Sequence, residues 1–171
     1  MSALSNLVLA SEWLEEKDQR WMIVNDDVMG GRSVSDAAWV NGERVIRFKG
    51  ELSLENNGGF ASLRGAVTPG FFSNSKNICI EIKGDGREYQ FRLRNSYRFG
   101  SYAYVASFQT EKGQWQKHCF NNDSFQAQFR GRQLPNIGPP DFNEIRQVGF
   151  LIADKIEQNF TLDIRSISVT E

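Results

Sequence analysis

One histidine, His118, and two cysteines, Cys79 and Cys119, are all that this 171-residue sequence offers of the side chains most used in nucleophilic and metal chemistry. The cysteines stand in no CxxC or Cys/His spacing, which excludes a zinc site or a dithiol motif. They fall in separate strand-like runs and read as two buried apolar thiols, because a core of this size does not need a disulfide. His118 and Cys119 are neighbours on a strand and point apart, so they make a poor nucleophile–base pair, and the histidine reads as a bland one at a sheet surface. No serine sits in a nucleophile elbow, no P-loop is present, and Gly58-Gly59 opens no helix of a βαβ unit. A glycosidase needs two carboxylates across a groove. Asp26 with Asp154 is an imaginable pair whose separation the sequence does not set, and an enzyme is not expected.

A dominant charge is missing too. Twenty basic residues face 21 acidic ones, for a net charge of −1. Such a balance produces no field that gathers nucleic acid or anionic lipid. Only the Arg92, Arg94 and Arg98 cluster, close to aromatic residues, leaves a single-stranded nucleic-acid surface open locally. No run approaches the roughly 20 apolar residues of a membrane span. Met1 to Ala10 lacks the basic start and apolar core of a secretory signal, and no Arg-rich transit peptide is visible. A cytoplasmic location is expected. Helix signals are scarce: Ser11 to Arg20 holds a turn or two, and Asp141-Phe142-Asn143-Glu144 has capping-box spacing after Pro139-Pro140. No repeat or low-complexity tract interrupts the chain, which is expected to be one domain over residues 1–171. Gly131 to Pro140, with three of the four prolines, reads as an ordered surface crossing.

What is present is β-pattern from end to end. Ile78-Cys79-Ile80-Glu81-Ile82 puts three isoleucines on one face. Tyr89-Gln90-Phe91-Arg92-Leu93-Arg94 points Tyr89, Phe91 and Leu93 inward and Gln90, Arg92 and Arg94 outward. Ala103 to Phe108, Trp115 to Phe120, Val148 to Ile152 and Phe160 to Ile164 read as further strands, and Val45 to Leu54 as one that bends or bulges at Gly50. Asn41-Gly42, Gly84-Asp85-Gly86 and Lys112-Gly113 read as hairpin turns. Many short strands at turn spacings of about 8–12 residues indicate an antiparallel sandwich or barrel.

Two glycine-and-amide stretches stand out: Asn25-Asp26-Asp27-Val28-Met29-Gly30-Gly31-Arg32-Ser33 and Asn56-Asn57-Gly58-Gly59-Phe60-Ala61-Ser62-Leu63-Arg64. Gly-Gly lets the backbone approach a neighbour closely, and Asn and Asp side chains bond nearby amides. The two loops are expected to meet at one rim and form a polar site. Asn25 and Asp26 would brace it, Val28 and Met29 would plug into the core, and Trp21 would wall it from beneath. The binding candidates are Asn25, Asp26, Asp27, Gly30, Gly31, Arg32, Ser33, Asn57, Gly58, Gly59, Arg64, Arg92, Arg94 and Tyr97. Guanidinium forks suit carboxylate, phosphate or sugar hydroxyls, although the same arginines can pair with Asp26, Asp27 or Glu81 and lace the sheet. Asp26 and Asp27 lack the acidic ladder of a calcium loop, so no metal or cofactor is expected. Asn95 to Tyr102, rich in Tyr, Phe and Ser, suits contact with protein or sugar, or folds Phe99 and one Tyr onto the core.

The string from Trp21 to Ser33, with its Val-Asn-Asp-Asp-Val-Met-Gly-Gly core, closely resembles the hallmark of the complex I intermediate-associated protein family. The second string, Phe48 to Arg64, is similar to that family's next block. Tyr89 to Arg94, Gly149 to Lys155 and Phe160 to Ile167 fall where the family has similar strands, so the resemblance covers nearly the whole chain. It implies an all-β fold, a galactose-binding-like jelly-roll β-sandwich related in shape to carbohydrate-binding modules. It also implies a non-catalytic assembly chaperone whose partner is a membrane-complex subunit or assembly intermediate. Without a presequence or extra N-terminal region, the chain looks like a bacterial stand-alone form. The alternative is a module for a carbohydrate or other small polar ligand at the rim between the two loops.

Overall fold

The computed structural model describes residues 21–170 apart from Phe99. Among the described residues twelve strands form two antiparallel sheets. They are β1 (Trp21–Ile23), β2 (Val34–Val40), β3 (Val45–Glu51), β4 (Ala61–Ala66), β5 (Asn77–Lys83), β6 (Glu88–Arg94), β7 (Ala103–Gln109), β8 (Trp115–Phe120), β9 (Gln126–Phe129), β10 (Arg132–Gln133), β11 (Gln147–Ile152) and β12 (Asn159–Thr170). The seven-stranded sheet runs β1-β4-β11-β6-β7-β9-β10 and the five-stranded sheet β2-β3-β12-β5-β8. The expected all-β sandwich is therefore what forms.

Alternation within each strand creates the core. Leu63, Tyr89, Phe91, Leu93, Val148 and Phe150 from the larger sheet face Phe48, Ile80, Ile82, Leu162 and Ile164 from the smaller one, all fully buried. Aromatic rings tie the layers together. Phe91 packs on Phe120 with ring centroids 5.5 Å apart, and Tyr89 meets Phe160 at 6.4 Å. Such offset and edge-on pairs add to the hydrophobic gain of burying the rings.

The turns hold the main departures from expectation. Asn41-Gly42 does close a hairpin, between β2 and β3. Gly84-Asp85-Gly86 and Lys112-Gly113 do not, because each carries the chain from one sheet to the other. The two crossovers lie side by side: Gly84 bridges Lys112, and the Gly113 N–H donates to Gly84 O at 3.0 Å. No bulge forms at Gly50, which stays paired with Ser35 and Phe160. A Cβ there would meet Val34 O at 2.1 Å, so glycine permits close strand approach rather than a bend. The irregularity lies in β12, between Ile164 and Ser166. Asp141 caps a single 3-10 turn over Phe142–Glu144 through the Asn143 N–H, as its spacing predicts. The predicted helical turn at Ser11 to Arg20 lies outside the described residues.

The cysteines also differ from expectation. Cys79 and Cys119 sit directly opposite each other on β5 and β8 and form a disulfide, with Cys119 at the surface. Cross-strand register, which spacing along the chain does not reveal, brings them together. His118 points the other way, half-buried against Phe108 at 5.3 Å, so it is a core-edge histidine rather than a surface one. Burial lowers its pKa. Reducing the disulfide is expected to cost roughly 3–4 kcal/mol, because the bridge closes a loop of about 40 residues. Urea midpoints with and without reductant check this, and coincident midpoints would show unpaired thiols in solution.

Candidate functional site

The two glycine stretches do meet, and Asp26 joins them. It opens a 3-10 turn over Asp26–Met29 and is 0 % exposed. Its Oδ1 accepts from the Ser33 N–H at 2.9 Å. Its Oδ2 accepts from the Ser33 hydroxyl at 2.6 Å, Gly59 N–H at 2.6 Å and Phe60 N–H at 3.4 Å. Burial alone pushes the Asp26 pKa up, but these donors outweigh it and hold the carboxyl below its usual value. Glycine is required on both sides: a Cβ at Gly31 would lie 2.4 Å from Asp26 Cγ, and one at Gly58 would lie 2.5 Å from its Oδ2. Asn25 Oδ1 braces the same joint by accepting from Ser35 Oγ at 2.8 Å and Ser62 N–H at 3.3 Å.

This geometry changes the role of the predicted rim. Asn25, Asp26, Gly31, Ser33, Gly58 and Gly59 are spent on holding the loops together, and a carboxylate fills the space expected to be open. Asp27, Gly30, Arg32 and Asn57 lie on the outside of the joint. There Arg32 and Glu55 make a solvent-exposed pair at 3.4 Å, worth little. Val28, expected in the core, is 56 % exposed, because Asp26 and not an apolar plug anchors the turn. The Met29 side chain lies outside the described residues. Trp21 is half-buried and packs against the core.

The remaining candidates gather on the outer face of the seven-stranded sheet. In register across β4, β11, β6 and β7 lie Arg64, Gly149, Arg92 and Val105. One step along, Ala66, Gln147 and Arg94 align. Arg94 is 4 % exposed, and its Nε has no hydrogen-bond partner. Arg92 makes one long bond, from Nη1 to Gln90 Oε1 at 3.3 Å, and its Nε likewise lacks a partner. Burial first, then the charge of Arg64, lowers the Arg92 pKa to about 10. Burial, Arg64 and Arg92 together lower that of Arg94 to about 9. Both remain charged at neutral pH.

The expected alternative, in which Arg92 and Arg94 pair with Asp26, Asp27 or Glu81, does not occur. Asp26 bonds within its joint, and Glu81 pairs with Arg165 at 2.6 Å on the opposite sheet. Tyr97, three residues beyond β6, is 53 % exposed and donates to Val67 O at 2.9 Å. Tyr102 folds back against Tyr104, with rings 5.5 Å apart. Gly149 was missed in the sequence. An isolated glycine inside an apolar strand is the signal, marking close backbone approach, and a Cβ there would meet Leu63 O at 2.8 Å.

Other chemistry is poorly placed. Asp154 is bound bidentately by Arg87, at 2.6 and 2.8 Å, so neither it nor Asp26 is available as a glycosidase carboxylate. Among the described residues no group of three or more His, Cys, Asp or Glu is positioned to hold a metal ion. A shallow depression of about 420 Å³ lies across β2, β3 and β12, away from the arginines, with exposed Asp36, Lys49 and Glu51 at its edge. No helix among the described residues is long and apolar enough to cross a membrane.

Comparison with known proteins fits this geometry. The family 11 carbohydrate-binding module of Clostridium thermocellum, solved with a β-1,3-1,4-mixed-linked tetrasaccharide, superimposes with a TM-score of 0.66. It is 17% identical, with 91% of each chain covered. An exo-β-agarase matches with a TM-score of 0.54 and 12% identity, over 91% of this chain and 24% of the agarase. These likenesses establish a jelly-roll sandwich. In sequence, the mouse (Mus musculus) mitochondrial complex I intermediate-associated protein 30 is 24% identical over 179 residues, covering 92% of this chain. The chain spans about half (54%) of that relative's length. The family model for complex I intermediate-associated protein 30 matches residues 12–164, and the chain belongs to that family.

Proposed function

We propose that this chain is a non-catalytic binding module that works in the cytoplasm as an assembly chaperone. It holds a partner polypeptide while a membrane complex of the respiratory, complex I-like kind is put together. The family match over residues 12–164 carries this reading, together with a mouse relative named for complex I intermediates. The sandwich supports it. Its carboxylates at Asp26 and Asp154 serve internal bonds, whereas the arginine-bearing sheet face keeps unused donors. Cells lacking the chain are expected to accumulate subassemblies of their NADH:quinone oxidoreductase on native gels and to lose most of the complete complex. A normal gel profile and normal membrane NADH oxidation in those cells would sink the reading.

A second reading, a carbohydrate or small polar ligand, draws on the hydrogen-bonding side chains of the same face. Gln90, Ser107, Gln126 and Gln128 alternate outward there. A glycan array read alongside thermal shift separates the two, since one sugar stabilising the fold selectively would favour this second reading.

A further inference from the structure

We propose that Arg92 and Arg94, beside the lane left by Gly149, form a carboxylate receptor on the outer face of the seven-stranded sheet. Its ligand is an acidic stretch of a partner polypeptide. The proposal rests on the partner-binding reading above and adds the chemistry of that partner.

The first support is an imbalance between the two sheets. On the five-stranded sheet, the outward charges that are partly buried are matched. Arg47 donates to Asp163 at 2.8 and 3.0 Å, Lys83 stands 3.8 Å from Asp163, and Arg165 holds Glu81. On the seven-stranded sheet, the outward positions of β4, β11, β6 and β7 beside the arginines are Ser62, Arg64, Ala66, Gln147, Gly149, Leu151, Gln90, Ala103, Val105 and Ser107, none of them acidic. The one outward acid of these strands, Glu88, is exposed at the far end of β6, four residues from Arg92 and six from Arg94, and makes no ion pair with either. Arg94 is nonetheless buried, and no hydrogen bond or ion pair among the described residues engages its guanidinium. Burying a charge without a counter-charge is costly, so a stable fold retains one where a ligand completes it.

The second support is shape. Arg64 and Arg92 flank Gly149 in register, roughly 10 Å apart at two strand spacings. Gly149 itself places no side chain beside Arg92, so a carboxylate can come down onto the Arg92 guanidinium, whose planar fork suits bidentate bonding. Arg94 lies two residues along β6 on the same face, so successive acidic side chains of one extended segment can be met. None of the outward positions on these four strands is aromatic, which leaves no platform there for a sugar ring. That favours peptide over glycan.

The test uses a fluorescein-labelled decaglutamate peptide, followed by fluorescence anisotropy at low salt. Wild-type protein is expected to bind it, with affinity falling steeply as salt rises. The double variant Arg92→Gln/Arg94→Gln is expected to bind at least tenfold more weakly while melting at or above the wild-type temperature, since it removes uncompensated buried charge. The charge-matched control Arg130→Gln/Arg132→Gln is expected to bind as wild type. The proposal is overturned by absence of decaglutamate binding, by equal binding in the Arg92/Arg94 variant, or by an equal loss in the control. A drop of several degrees in that variant's melting temperature would also overturn it by showing a purely structural role. Stronger competition from inorganic phosphate or polygalacturonate would reassign the site to another anion. Because the assay needs no membrane complex, normal assembly in cells lacking the chain would remove the assembly reading alone. Failed peptide binding with defective assembly would remove only the receptor.

Discussion

Replacing Asp26 by asparagine is expected to lower the free energy of unfolding by about 3 kcal/mol, although the side chain keeps its size. Each oxygen already serves donors: the Ser33 N–H on one side, and the Gly59 and Phe60 N–H groups with the Ser33 hydroxyl on the other. An amide NH2 in either place faces an N–H and leaves at least one buried donor orphaned, while charge assistance is lost from the rest. Asp26→Ala should cost more, since it strands all four donors and opens a cavity. Acidification probes the same group. Its folded pKa is held below that of an ordinary aspartate. Its contribution is therefore complete above that value and disappears as pH falls through the folded pKa. Wild type should lose stability below pH ~4 more steeply than Asp26→Asn. Urea midpoints between pH 2 and 7 check both statements, and parallel curves for the two proteins would show that Asp26 is not the joint's anchor.

The second large effect is expected at Arg87. Its guanidinium pairs with Asp154 and also donates to the carbonyls of Ile156 at 2.5 Å and of Gln158 and Asn159 at 3.0 Å. Both charged side chains are under a tenth exposed. The bond to Asp154 raises the Arg87 pKa above its ordinary value despite burial. Burial pushes Asp154 up, but Arg87 and the Ile156 N–H draw its carboxyl below the usual range. Arg87→Ala leaves a buried carboxylate without its counter-charge, held only by the Ile156 N–H, and removes a donor from three carbonyls, for a loss of about 4 kcal/mol. The double variant Arg87→Met/Asp154→Leu should recover a large part of that loss, because an apolar pair leaves no charge unmatched. Chemical denaturation with hydrogen exchange over residues 153–159 reads the result. A loss under about 1 kcal/mol would mean that the loop is held by other contacts.

Much of this fold was legible in the sequence, for physical reasons. The runs at Ile78–Ile82 and Tyr89–Arg94 alternate because each strand has one face in the core, and the observed β5 and β6 contain both. Sheet membership was not legible. The glycine turns at Gly84–Gly86 and Lys112–Gly113 have hairpin chemistry but change sheets, since a tight turn and a tight crossover need the same backbone freedom. The meeting of the two glycine stretches was foreseen, together with bracing by Asn25 and Asp26. That Asp26 would fill the space between them was not, because four donors from residues 33, 59 and 60 converge only in three dimensions. The outward direction of Arg92 and Arg94 followed from alternation. Their lack of an acidic partner did not, since it depends on which residues of β4, β7 and β11 stand beside them.

The position of β12 has a consequence for synthesis. This last strand lies in the middle of its sheet, between β3 and β5, and β11 is likewise central, between β4 and β6. Until residues 147–170 leave the ribosome, each layer is split into two halves with unpaired edges. The nascent chain thus stays open to proteases and wrong partners until residues 147–170 have emerged, and then closes late through long-range pairings.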